Sequence, residues 1–144
     1  MIDLKEFDKA IKIGTKDKKM QETISAINVL LCNHTWIFQR WSWGWTFYIF
    51  LQGSTGTVKI QFADDDPELA MIFDLIVHPS TRGLGNGHTL LVLSEAVSKI
   101  LGTEKIGLYA DAGGWPRHWY ERHGYKDDGR IHPKYDDIYM EKNL

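Results

Sequence analysis

The chain has 144 residues, 43% of them hydrophobic and 25% charged, a balance that suits one folded domain spanning 1–144 and excludes a disordered chain. A formal net charge of −2 gives no global field for gripping nucleic-acid phosphates, and the single cysteine, Cys32, excludes an intrachain disulfide and a cysteine-based zinc site. The start, Met1-Ile2-Asp3-Leu4-Lys5-Glu6, is too charged for a secretory leader and no apolar run nears the ~20 residues of a membrane span, so a cytoplasmic protein is expected.

Residues 3–12 read as a short helix, with Asp3 and Glu6 in the spacing of a capping pair. Residues 17–32 read as a second helix, because Met20, Ile24, Ile27 and Leu31 form one apolar stripe; Asn33 is the expected stop. Lys16, Lys18 and Lys19 at its start are read as a solvated face. Then Trp36 to Phe38, Thr46 to Leu51 and Thr57 to Phe62 are rich in β-branched and aromatic residues and punctuated by Gly44, Gly53 and Gly56, the texture of an antiparallel meander. Its tryptophans, Trp36, Trp41, Trp43 and Trp45, are expected to pack strands, with some free to wall an acceptor pocket. Asp64-Asp65-Asp66-Pro67 makes a turn.

Ala70 to Val77 is apolar on both alternating sets, which predicts a central strand covered on both faces. Asp74 is its only charge, and strict alternation puts it on one face with Ile72, Ile76 and His78. Pro79 ends this strand, and Arg82-Gly83-Leu84-Gly85-Asn86-Gly87 follows. Residues 87–101 read as a helix closed by Gly102, and Lys105 to Ala110 as another apolar strand. Strand, helix and strand so closely joined make a parallel βαβ unit with a right-handed crossover. Gly113-Gly114 breaks the chain, residues 116–123 form a short helix stopped by Gly124, and Tyr125 to Lys142 holds two strands around 129–133. The fold class is α+β: an antiparallel meander, then one parallel βαβ unit, with helices on both faces of a mixed sheet.

The glycine-rich turn fails two better-known phosphate patterns. A P-loop needs a lysine before Thr89, where His88 stands, and a dinucleotide fingerprint needs its third glycine at that same position. What remains is a strand-to-helix turn whose glycines permit positive φ and whose helix start offers free amides to an anion, with Arg82 adding positive charge. A plain tight turn needs the same glycines.

The run Leu75 to Gly87, with Val77-His78-Pro79 and then Arg82-Gly83-Leu84-Gly85, resembles the acetyl-CoA motif of the GNAT superfamily of N-acyltransferases. Trp119-Tyr120-Glu121-Arg122-His123-Gly124-Tyr125 resembles that family's second signature, in the right order. The resemblance is specific from about 70 to 125 and architectural upstream. It implies a GNAT-like sheet whose two parallel strands splay, with acetyl-CoA as cosubstrate. Amides of Gly83, Leu84, Gly85, Asn86, Gly87 and His88, with Arg82, would hold the pyrophosphate; the backbone of Leu75, Ile76 and Val77 would pair with pantetheine. It further implies Asp74 as a base, often through water, and Tyr120 as the acid for the leaving thiolate. Two departures stand: Gly113 occupies the family's usual asparagine position, and no strand precedes the helices.

For the residues themselves, Asp74 either works as a base or pairs with a neighbouring lysine, arginine or backbone group. His78 is a second candidate base. Tyr120 is either an acid or a core aromatic beside Trp115 and Trp119. Asp64, Asp65, Asp66 and Glu68 are either a lure for a cationic amine or a solvated turn. The partners expected are a small-molecule or protein amine, no nucleic acid, no membrane and no metal, in a monomer or homodimer. The alternative is a GNAT-like module that binds CoA or a protein without turnover.

Overall fold

The computed structural model describes residues 1–111, 115–132 and 135–144. Each N-terminal helix begins where a short carboxylate can accept its free amides. Asp3 caps α1 (Leu4–Ile13) through the amides of Lys5 and Glu6, and Asp17 caps α2 (Lys18–Leu30) through those of Lys19 and Met20. The second helix ends at Leu30, three residues short of Asn33.

The meander follows as β1 (Thr35–Arg40), β2 (Gly44–Phe50), β3 (Gly56–Ala63) and β4 (Leu69–Val77), all antiparallel to their neighbours. Next come α3 (Asn86–Ile100), β5 (Lys105–Asp111), α4 (Trp115–Arg122), β6 (Lys126–Ile131) and β7 (Asp137–Asn143). The sheet has seven strands in the order β1-β2-β3-β4-β5-β7-β6, and β4–β5 is the parallel pair. The mixed sheet expected from the sequence is therefore present. The Gly113-Gly114 break and Pro133 lie outside the described residues.

The helices depart from expectation by gathering on one face. On β3 every second residue, Gly56, Val58, Ile60 and Phe62, is buried, whereas Thr57, Lys59 and Gln61 are not. The buried set forms one cluster with Phe7 of α1, Ile27 of α2, Leu90 and Val97 of α3, and Tyr125 after α4. Topology explains α3 and α4. The crossovers β4–α3–β5 and β5–α4–β6 run the same way along the sheet, and two right-handed crossovers in one direction leave their helices on one side. The other face carries Ile37, Phe73, Ile76 and Tyr109, all exposed, with no helix over them among the described residues. The apolar character of β4 therefore does not mean cover on both faces.

The aromatic residues of the meander are mostly core. Phe7 meets Phe38 edge to face at 5.1 Å, while Trp36 stacks on Phe47 and Trp45 on Phe38. Trp41 and Trp43 are exposed at the β1–β2 turn. Phe7 joins α1 to the sheet and is fully buried. Phe7→Ala should therefore cost about 3–5 kcal/mol in urea unfolding; a loss below ~1 kcal/mol would show that α1 is not part of the cooperative core.

Candidate functional site

The site begins with a pairing that stops early. β4 and β5 are in register only at Leu69↔Lys105, Ala70↔Ile106 and Met71↔Gly107, although β4 continues to Val77 and β5 to Asp111. Beyond Met71 the β5-facing edge of β4 has no strand partner, and backbone groups on such an edge need one. Where the strands part lies a cleft of about 730 Å³. It is lined by Leu75, Ile76 and Val77 of β4, by Arg82, Gly83 and Gly85 to His88 of the turn, and by Pro116, Trp119 and Tyr120 of α4. The structure thus brings together every expected cofactor residue except Leu84, whose side chain is exposed and outside the lining.

The turn that closes the cleft is held from within. His78 Nδ1 accepts from the Ser80 amide at 3.2 Å and lies 2.7 Å from Ser80 Oγ, so this histidine anchors a short 3₁₀ turn, Pro79–Thr81. Arg82 Nε donates to the Val77 carbonyl at 3.4 Å. Gly83 and Gly85 have φ of 81° and 83°, and a Cβ on either would meet nothing within 4 Å. Glycine is required there for backbone conformation alone. Gly85 is the N-cap of α3 and offers no side-chain acceptor. Thr89 N is the first to bond back into the helix, to Gly85 O, so the amides of Asn86, Gly87 and His88 face the cleft end without intrahelical partners. Free amides, the positive end of a helix dipole and a guanidinium are the groups with which a protein can hold an anion.

On the opposite wall, Tyr120 is half-buried, edge-on to Trp119 at 5.0 Å and to Tyr125 at 5.8 Å. Burial raises its hydroxyl pKa above the ordinary phenol value, so it holds its proton at neutral pH. His88 Nδ1 lies 2.9 Å from His123 Nε2, a contact that sequence spacing does not reveal across 35 residues.

Asp74 is where the sequence reading needs correction. Between Thr57↔Ile76 and Lys59↔Phe73, Val58 alone faces both Asp74 and Leu75, which is a β-bulge. Asp74 takes φ of 49°, a left-handed conformation that aspartate tolerates. The extra residue switches the faces: Ala70 and Ile72 are buried before it, and Leu75 and Val77 pack on the core after it. Asp74 is therefore 58% exposed, does not share a face with Ile72, and does not line the cleft. Its Oδ2 is 3.1 Å from Lys59 Nζ, which also sits 5.9 Å over the Tyr48 ring on the helix-free face. Among the described residues no group of three or more His, Cys, Asp or Glu converges as a metal site. The acidic turn lies at the far end of β4, with Asp64 held by Arg40 through two hydrogen bonds of 2.9 Å. The exposed tryptophans of the β1–β2 turn also lie outside the cleft lining. Position 113, the departure from the second signature, is outside the described residues.

A family model described as an acetyltransferase (GNAT) domain matches residues 43–127, which include both strands, the turn and α4. The chain belongs to the GNAT superfamily. Solved GNAT-like folds agree in architecture. An acetyltransferase from Streptococcus agalactiae superposes with a TM-score of 0.56 at 19% identity, over 98% of this chain and 87% of the other. An acyl-CoA N-acyltransferase from Pseudomonas aeruginosa gives 0.55 at 19%, over 67% of each. A spermidine/spermine N-acetyltransferase from Vibrio cholerae gives 0.56 at 20%, over 71% of this chain and 66% of the other. No curated protein matches by sequence. No helix among the described residues is long and apolar enough to cross a membrane.

In this GNAT turn the left-handed φ is the vulnerable feature. Gly85→Val should cost at least ~1–2 kcal/mol by thermal or chemical unfolding, because a Cβ opposes positive φ even in open space. An unchanged stability would show that the turn readily adopts another conformation.

Proposed function

We propose that the protein transfers an acetyl group from acetyl-CoA to a primary amine. The observation that carries this reading is the juxtaposition of an unpaired strand edge, Leu75 to Val77, with the uncapped amides of α3 across one cleft. An extended pantetheine arm suits the first, because alternating amide groups can bond to a free strand edge. A pyrophosphate suits the second and the Arg82 guanidinium beside it.

The chemistry follows from the two sides of the gap. The amine nitrogen attacks the thioester carbonyl, the carbon–sulfur bond breaks, and the thiolate takes a proton from Tyr120 on the α4 wall; the second proton shed by the nitrogen as the amide forms replaces it. The proton lost by the ammonium goes to Asp74, directly or through water, on the helix-free face. For Asp74 to serve, the acceptor's ammonium has to compete with Lys59 for the carboxylate, an exchange of one cation for another at an exposed site where ion pairs are weak. That face, with Tyr48, Phe73 and Ile76 around the pair, is where the acceptor would approach. Structures sharing this fold include one named for spermidine and spermine, which supports an amine as the acceptor class.

A second reading, a CoA- or protein-binding module without turnover, is favoured by one observation. Asp74 is already paired and lies outside the cleft lining, so no carboxylate stands among the described residues that line it.

Thiol release from acetyl-CoA over a panel of amines separates the two readings, and two variants assign the roles. Tyr120→Phe should lower kcat by roughly 10²–10⁴ and leave CoA affinity intact, the usual worth of a positioned acid. Asp74→Asn should lower kcat/KM with CoA affinity unchanged. No thiol release with any amine would contradict the catalytic reading, and full activity in both variants would leave turnover standing and overturn the two assigned roles.

A further inference from the structure

Two histidines meet at the mouth of the cleft, and their hydrogen bonds fix where their protons sit. His88 stands on the first turn of α3 and lines the cleft; His123 follows α4. His123 Nδ1 is 2.7 Å from the Trp119 carbonyl, which can only accept, so this nitrogen carries a hydrogen. In the uncharged pair His123 Nε2 is then a bare acceptor, and His88 Nδ1, 2.9 Å away, has to donate to it. That leaves His88 Nε2 with a lone pair and no hydrogen. One added proton reverses this: whichever ring holds the charge, His88 Nε2 becomes an N–H donor. The shared hydrogen bond therefore couples the two rings.

The surroundings say which ligand gains from that proton. His88 shares its turn with the free amides of Asn86 and Gly87, and Arg82 lines the same cleft. An anion within reach of His88 Nε2 would meet a lone pair when the histidines are uncharged and an N–H donor of a charged pair when they are protonated. The other charges on the packed elements are largely satisfied locally. Glu95 of α3 pairs with Lys142 of β7 at 2.6 Å, and on α4 Glu121 lies 2.9 Å from Arg117 and 3.9 Å from His118, with Arg122 next in sequence. The Trp119 ring lies on His123 at 4.3 Å and holds it in place.

We infer that His88 and His123 form a one-proton clamp for the cofactor's pyrophosphate, taking a proton from solvent as the anion binds. This rests on the CoA reading above. The sign follows from linkage. The bound state has the higher proton affinity, so cofactor affinity is greatest where the pair is protonated and falls as pH rises, by at most about tenfold per pH unit.

The test is titration calorimetry near pH 7 in buffers of different ionisation enthalpy, with dephospho-CoA as the main probe. Its pyrophosphate does not titrate near neutrality, whereas the 3′-phosphate monoester of CoA does. The native protein should take up a measurable fraction of one proton per dephospho-CoA bound. His88→Gln should take up none and bind about three- to tenfold more weakly, with its unfolding midpoint confirming the fold. His88→Lys should also take up none, yet keep nearly native affinity that is flat from about pH 6 to 8, because its charge is permanent. Binding without proton uptake in the native protein, or with equal uptake in His88→Gln, overturns the clamp and leaves the cofactor reading standing. No binding of either dephospho-CoA or CoA overturns the cofactor reading, and the clamp with it.

Discussion

β4 is bonded to β3 along almost its whole length, from Ala70 to Val77, but to β5 over only three residue pairs. That asymmetry fixes the rest of the site. A strand anchored on one side cannot collapse when its other neighbour departs, so its free edge persists as a template rather than folding inward. The bulge at Asp74 and Leu75 lies within the parted section, where an added twist turns β4 away from the plane it shares with β5. α3 then starts at the end of β4 and returns to begin β5, so the uncapped helix start stands beside the free strand edge. Topology thus places two unsatisfied backbone surfaces, one extended and one helical, on a single cleft.

Each wall adds one kind of chemistry. The turn contributes fixed positive character through amides and Arg82, without a lysine. α4 contributes aromatic surface and a phenol whose proton is held more tightly by burial. The helix-free face contributes the Lys59–Asp74 pair and the rings around it. With α1 and α2 packed on the same side as α3, that face stays accessible to whatever approaches the end of the cleft.

Much of this was legible in the sequence, for identifiable reasons. Asp3 and Asp17 cap helices through short-range hydrogen bonds, so a local pattern finds the first of these starts directly. The glycines at 83 and 85 are required by positive φ in open space, which leaves glycine as the natural residue there. Asp74 misled the alternation argument because a bulge changes the period at one residue, and aspartate in a left-handed conformation leaves no distinctive pattern. The open face misled it as well: Phe73 and Ile76 are apolar yet exposed, so composition suggested a covering that topology does not supply. His88 and His123 were invisible as a pair because their contact depends on how α3 and α4 pack, not on spacing.

The most direct measurement of the central claim is an amide-resolved NMR titration with CoA and, separately, with pantetheine. CoA should perturb two distinct sets, the amides of 83–88 and those of 75–77, whereas pantetheine should perturb the β4 set alone. Perturbations by CoA confined to other surfaces, with both sets unmoved, would contradict the account.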